Sequence, residues 1–394
     1  MRVLIAFDKF KDSLSSPEAC TIAARALASA HPDWQLDLCP LTDGGEGFGD
    51  ILTRSVSGEF KTLAVTGPRN TPHRAPLGLI ALEKIPAPAR ALLGLGAGAP
   101  ASAGAQRVAV IEMAAVSGLA LLAPEQRDPW QTTSVGTGEL IRAAAAEPGV
   151  AAILLGVGGS ATSELGLGAL GALGLEFHSA RGERVHPPIP ARWDEIARIV
   201  GRVAPGLPPI RIACDVTNPL LGARGAAAVY GPQKGLRAAD LPRLEHAAAR
   251  LALLLCHHTG KPDTLMDAPG AGAAGGISFG LMAAADAKLL PGFELVTSWL
   301  DVEARLAAAD LVITGEGRFD DSSLEGKGPG ALAARALALG KPAHVFAGAV
   351  ATTPRARLAT HAITPANVPL DRALREAAAN LEGTVRRVFS GDAA

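Results

Sequence analysis

Short apolar runs alternate along this chain with longer stretches in which apolar residues recur at helical spacing. The runs are RVLIAF (2–7), QLDLCPL (35–41), VAVIEM (108–113), AAILLGV (151–157), IRIACDV (210–216), DLVITGE (310–316) and AHVFAG (343–348). Their length and β-branched content predict buried strands. A helix opened by Ser15, Ser16 and Pro17 is expected to close near Ala30, and further helical patterns cover 135–146, 238–257, 272–287 and 368–388. Strand followed by helix, repeated, predicts an α/β fold with largely parallel sheets.

In such sheets ligands bind beyond the carboxyl ends of the strands. Polar residues gather at those ends here. Asp8 follows the first run, Asp43 and Glu46 the second, Asp215 and Asn218 the run at 210–214, and Glu316, Arg318 and Asp320 the run at 310–314. Turns near TGPRNTP (66–72) and LLPGFE (289–294) suggest the domain cuts. A discontinuous first domain, 1–66 plus 290–394, is therefore expected to hold a second domain, 67–289, as an insertion. Residues 83–106, rich in Ala, Gly and Pro, read as a flexible surface insertion.

Composition narrows the classes. The 394 residues carry a formal net charge of −1, so no basic field exists to attract nucleic acid or anionic lipid. No uninterrupted apolar stretch reaches the roughly 18 residues of a membrane span, and MRVLIAFDKF reads as a first strand rather than a signal-peptide core. The four cysteines are scattered without a CxxC pair, which fits reduced thiols and a cytoplasmic setting.

ILLGVGGSATSELG (153–166) has the order strand, glycine turn, helix. Backbone N–H groups at such a turn can hold an anion, with Gly158, Gly159, Ser160 and Thr162 the candidates. The alternative is an ordinary turn in which Ser160 or Thr162 caps the helix. The stretch holds no lysine and is not a P-loop. GAGAAG (270–275) fits a dinucleotide pattern literally but follows no strand; Gly272 and Gly275 remain candidates for phosphate oxygens. ITGEGRFDDSSLEGK (313–327) combines Glu316, Arg318, Asp320 and Lys327, acids and bases together, as phosphoryl transfer requires. TDGGEGF (42–48), CDVTNPLLG (214–222), YGPQKG (230–235) with Lys234, and FDKFKDSLS (7–15) with Asp8, Lys9 and Lys11 are also strand-end or glycine-bounded turns. No Cys/His spacing supports zinc, and Ser160 lacks the GxSxG context of a hydrolase nucleophile.

Taken in order, FDKFKDSLS, LTDGGEGF, VTGP, IEMAAVSGL, RDPWQTTSVGTGELI, GVGGSAT, ACDVTNPLLG, YGPQKG, PGAGAAGG and VITGEGRFDDSSLEGK resemble the bacterial glycerate kinase family that makes 2-phosphoglycerate. The resemblance implies two α/β domains, one flavodoxin-like, with the active site in the cleft between them. It implies ATP and Mg²⁺ as co-substrates and D-glycerate as acceptor, in a monomer or homodimer. Residues 83–106 lengthen a connection the family keeps short, and Ser163-Glu164-Leu165 stands where the family has Asn-Asp-Gly.

On this reading Asp215 is expected as general base or to position the hydroxyl, and Asp43, Glu46, Glu316 and Asp320 as Mg²⁺ ligands. Lys9, Lys11 or Arg318 would meet the glycerate carboxylate, with Asp8, Asn218, Ser160 and Thr162 also at the substrate. Lys327 or Lys234 would neutralise the transferring phosphate, alongside Gly158, Gly159, Gly272 and Gly275. The competing functions are a phosphatase or isomerase that needs no nucleotide, and a sugar-acid sensor without turnover.

Overall fold

The computed structural model describes residues 1–96, 106–321, 323, 328–352 and 356–390. Its strands are β1 (Arg2–Phe7), β2 (Gln35–Leu38), β3 (Glu59–Thr66), β4 (Pro72–Ala81), β5 (Arg107–Glu112), β6 (Val150–Gly156) and β7 (Leu175–His178). They continue as β8 (Arg198–Gly201), β9 (Ile210–Ala213), β10 (Lys288–Leu290), β11 (Leu311–Asp320), β12 (Ala343–Ala351) and β13 (Leu358–Ala362). Two compact units result: Met1–Asp43 with Val296–Ala394, and Gly44–Leu295.

The first unit has one five-stranded sheet, ordered β13-β12-β11-β1-β2, with every pair parallel. Counted in chain order and read from the other edge this is 2-1-3-4-5, the flavodoxin-like order, and its winding reverses between β1 and β11. Helix Ser16–Ala30 starts where the sequence signals it. Ser15 and Glu18 form a capping box and Pro17 occupies the first turn. The helix buries Ala19, Ala23, Ala26 and Leu27 in a core with Val3, Ile5, Ile313, Phe346 and Leu381.

The second unit has a six-stranded sheet, β10-β9-β6-β5-β4-β3, and a separate β7-β8 hairpin. β5, β6, β9 and β10 are parallel, whereas β3 and β4 form an antiparallel hairpin joined to β5. This hairpin moves the first cut from 66/67 to 43/44. Residues 44–66 belong to the second unit because β3 pairs along its length with β4. The strand was hard to read because it is an edge, exposed at Glu59, Phe60, Lys61 and Thr62 and so without the apolar alternation of a half-buried strand.

Residues 83–106 also depart from expectation. Up to residue 96 the segment is built, with helix Ala87–Leu92 and buried Ile85, Ala89 and Leu93. Arg211 Nε on β9 donates to the Leu93 carbonyl at 3.0 Å. The pattern at 368–388 divides into Leu370–Arg375 and Ala377–Phe389. Among the described residues no helix is long and apolar enough to cross a membrane.

Candidate active site

In the first unit a cluster of acids gathers beyond the carboxyl ends of β1 and β2 and on the adjoining part of β11, where the winding reverses. β11 runs on to Asp320, so Glu316 and Arg318 lie within the strand and not beyond its end as the sequence suggested. The Asp8 backbone N–H donates to Gly315 O at 3.0 Å, which ties the end of β1 to β11. Asp8 Oδ1 accepts from the Lys9 backbone N–H at 2.7 Å. Burial, with added repulsion from Asp43 and Glu316, pushes the Asp8 carboxyl up to about 7 against the opposing Lys9 charge. Lys9 Nζ lies 3.9 Å from Asp43 Oδ1. Burial raises Glu316 too, helped by Asp320, and its Oε1 is buried without a hydrogen-bond partner among the described residues. Arg318 is exposed and pairs with Asp320, Nε to Oδ2 at 3.4 Å; Lys11 is exposed. Lys327 lies outside the described residues. Glu46 belongs to the second unit.

In the second unit the GVGGSAT turn sits at the carboxyl end of β6, between the ends of β5 and β9. Gly158 N–H donates to Gly44 O at 3.0 Å, and a Cβ on Gly158 would lie 2.6 Å from Gly45 Cα, so glycine is required for that approach. Glu46 Oε1 lies 3.0 Å from where a Gly159 Cβ would be. Ser117 O accepts from Ala161 N–H at 2.9 Å and fastens the turn to the segment after β5.

The cation absent from this turn arrives from YGPQKG. Gly235, at φ 95°, packs so closely on the Arg127 carbonyl that a Cβ would meet it at 2.1 Å. That fit accompanies the burial of the adjacent Lys234, which is 2% exposed. Its Nζ donates to Ser160 Oγ at 2.9 Å and to Thr162 O at 2.5 Å. Burial pushes the ammonium down to about 7 while the Glu164 charge pushes the other way.

Ser160 and Thr162 do not cap the helix that follows, which begins only at Leu167. Glu164 takes that task. Its Oε2 accepts from Gly168 N–H at 2.5 Å and its Oε1 from Ser134 Oγ at 2.6 Å, and complete burial raises its pKa to about 8. Leu165 adopts φ 60°, a left-handed conformation suited to glycine. Gly275 faces the same turn: a Cβ there would fall 2.0 Å from Thr162 O, and its carbonyl accepts from Leu165 N–H at 3.0 Å. Gly272 has a similar close approach to Pro219 O, at 2.2 Å. The GAGAAG glycines thus have a packing role of their own.

Asp215 Oδ2 accepts from Phe293 N–H at 2.7 Å, at the start of helix Gly292–Trp299. Asn218 is held on both sides of its amide, donating to Arg224 O at 2.8 Å and accepting from Tyr230 OH at 2.6 Å. Glu112, not singled out from the sequence, accepts from Gly47 N–H at 3.1 Å and Gly49 N–H at 2.9 Å. It ends β5, so the rule that flagged the other strand-end acids applies to it equally. Among the described residues no three His, Cys, Asp or Glu side chains are grouped to hold a metal ion by themselves.

Residues 3–391 match the profile of the Glycerate kinase family. The chain is 35% identical to a glycerate kinase of Halalkalibacterium halodurans, covering 98% of this chain and 97% of that protein. It is 36% identical to the glycerate 2-kinase of Escherichia coli K12, over 89% and 86% of the two. A crystal structure from Salmonella typhimurium LT2, provisionally described as glycerate kinase 2, aligns with a TM-score of 0.72 at 36% identity, covering 99% of this chain and 97% of that one. By its sequence blocks, its two α/β units and these relatives, the chain belongs to the glycerate kinase family.

Proposed function

We propose that this protein is a cytoplasmic kinase that transfers the γ-phosphoryl group of ATP, as its Mg²⁺ complex, to the 2-hydroxyl of D-glycerate. The observation that carries the reading is the acid cluster with an adjoining lysine at the switch point of the flavodoxin-like sheet, Asp8, Lys9, Asp43 and Glu316. Mg²⁺ in kinase sites is commonly held by one or two carboxylates plus phosphate oxygens. The donor set fits that use: Glu316 Oε1 is buried without a partner among the described residues while Ser323 bonds the same carboxyl, and burial, with repulsion from Asp43 and Glu316, raises Asp8. Mg²⁺ there would neutralise polyphosphate charge.

The chain's own residues bind and orient. Lys9, with Lys11 and Arg318 as further cations, meets the glycerate carboxylate, and Asp8 positions a hydroxyl. Asp43, Glu316 and Asp320 are the proposed metal-facing acids of the first unit, and Glu46 that of the second. Asp215 is proposed as the base, with Asn218 ordering its loop. The GVGGSAT turn, through Gly158, Gly159, Ser160 and Thr162, receives phosphate oxygens, assisted by the Gly272–Gly275 backbone; Lys327 is proposed to act on the transferring group.

Incubation with ATP, Mg²⁺ and D-glycerate tests this: ADP and phosphoglycerate are expected, and phosphorus NMR distinguishes the 2- from the 3-phosphate. Phosphate release without nucleotide would point instead to a hydrolase, and glycerate binding without turnover to a sensor. Asp215→Asn and Asp8→Asn, compared in single-turnover kinetics, separate the base from the positioning carboxylate. An unchanged transfer rate in Asp215→Asn removes it from the base role.

A further inference from the structure

We propose that Lys234 is a positioning residue that turns the Ser160 hydroxyl outward, as a hydrogen-bond donor to an anionic oxygen bound at the carboxyl end of β6. The identity of that anion, a phosphoryl oxygen, rests on the kinase reading above; the orientation mechanism does not. Lys234 is 2% exposed, so it acts from behind the turn rather than as a cation reaching a ligand through solvent. Both of its described bonds go to the turn, Ser160 Oγ at 2.9 Å and Thr162 O at 2.5 Å.

The chemistry of the pair follows from donor counting. An ammonium has three donors and no acceptor, whereas a hydroxyl has one proton and two lone pairs. Protonated Lys234 must therefore donate to Ser160 Oγ, and the Ser160 proton, which has no other described acceptor, points away from the lysine. A neutral amine can accept instead, and the hydroxyl proton swings inward. Ser160 is then presented to an incoming anion by its lone pairs, which repel it. The Thr162 carbonyl holds the lysine in either state, so charge changes the direction of the hydroxyl and leaves the backbone in place.

Two neighbouring hydroxyls also await partners. Thr162 Oγ1 and Ser163 Oγ are buried and unbonded among the described residues, on side chains 0% and 7% exposed. Among the described residues the charged groups beside this lysine and the turn it holds include Glu164, Arg127 and, against Gly159, Glu46. Glu164 favours the protonated lysine and is fixed by Ser134 and Gly168; Arg127 meets the turn through its backbone carbonyl against Gly235. Because burial brings Lys234 down to about 7, both hydroxyl orientations are accessible near neutral pH.

Sulfate is the probe, because its charge stays constant through the neutral range, unlike phosphate. Its dissociation constant is read from thermal stabilisation of the full chain at matched ionic strength, at about pH 6 and about pH 8.5, on either side of the lysine's value of about 7. Loss of one hydrogen bond to a charged group predicts binding about tenfold weaker at the higher pH. Ser160→Ala should bind weakly and equally at both pH values, and Lys234→Met should do the same. Wild-type pH dependence in Ser160→Ala, or wild-type affinity in Lys234→Met, would overturn the proposal. Where Lys234→Met fails to fold, Ser160→Ala decides, since it removes only an oxygen. A wild-type protein that binds sulfate with this pH dependence but forms no ADP defeats the kinase reading alone. An active kinase with pH-independent sulfate binding, or none, defeats this inference alone.

Discussion

Leu165 holds a left-handed backbone, at φ 60°, where the sequence resemblance implies glycine, and its side chain is 2% exposed in the core of the second unit. Truncation to alanine removes that packing and keeps the unfavourable backbone, whereas glycine removes the packing and relieves the backbone. Leu165→Gly is therefore expected to be more stable than Leu165→Ala by about 1 kcal/mol, reversing the usual order of the two residues. Urea denaturation of both variants measures the difference. Asp8 makes a second case. Its folded carboxyl titrates at about 7 against an unfolded value near 3.8, so between these values the native state binds the proton that the unfolded chain has lost. Stability falls as pH rises through that window, and Asp8→Asn should raise it above pH 7 by on the order of 2 kcal/mol while impairing turnover. Thermal midpoints against pH, together with the glycerate assay, check both halves. Asp8 and Asp43 were legible as acids after a strand because the rule that finds them needs only the strands, whereas Glu316 lies within β11, which runs on to Asp320. The pairing of Lys234 with Ser160 was not, since it spans 74 residues and depends on Gly235 packing against Arg127. Glu164 could be read as a surviving carboxylate, but its engagement with Ser134 and Gly168 required the fold.

Among the elements, β12 and β13 bring two imidazoles together. His344 Nδ1 lies 3.1 Å from His361 Nε2, and the His361 ring stacks on Phe346 with centroids 4.6 Å apart. Burial first, then the His344 and Arg387 charges, lower His361 to about 4, while burial also lowers His344. Between about 4 and the unfolded value near 6.5 the unfolded chain holds a proton that the native state lacks, so this contribution is lost as pH falls. His361→Phe should flatten the acid limb of the urea midpoint in that window. In the second unit, Asp215→Ala should cost about 1 kcal/mol by freeing the first turn of helix Gly292–Trp299, a loss seen in denaturation even where chemistry is not assayed. Strands buried on both faces were readable as continuous apolar runs. β3, an exposed edge, and β4, with prolines at both Pro72 and Pro76, were not, because pairing rather than hydrophobic period defines them.

At the scale of the whole molecule each unit carries its own core, one built from residues between Val65 and Ala287 and the other from residues between Val3 and Val385. Residues 44–295, expressed alone, are therefore expected to melt cooperatively, because their six-stranded sheet is complete. Residues 296–394 alone are expected to stay unfolded until a 1–43 peptide is added, because β1 supplies the strand between β2 and β11. Far-UV circular dichroism of the two fragments tests this. The turns near 66–72 and 289–294 suggested a discontinuous first domain; the position of the first cut depended on the β3–β4 hairpin.

That central β1 strand also sets a timetable on the ribosome. RVLIAF is synthesised before residues 44–295, and its partner on one side, β11, is not made until the whole of that stretch has been added. At about 5–20 residues per second, that interval lasts on the order of tens of seconds. Throughout it a strand destined for burial on both faces has at most β2 and helix Ser16–Ala30 for cover. The inserted unit can finish folding in the meantime, and the nascent chain needs protection at β1, already made, rather than at its growing end.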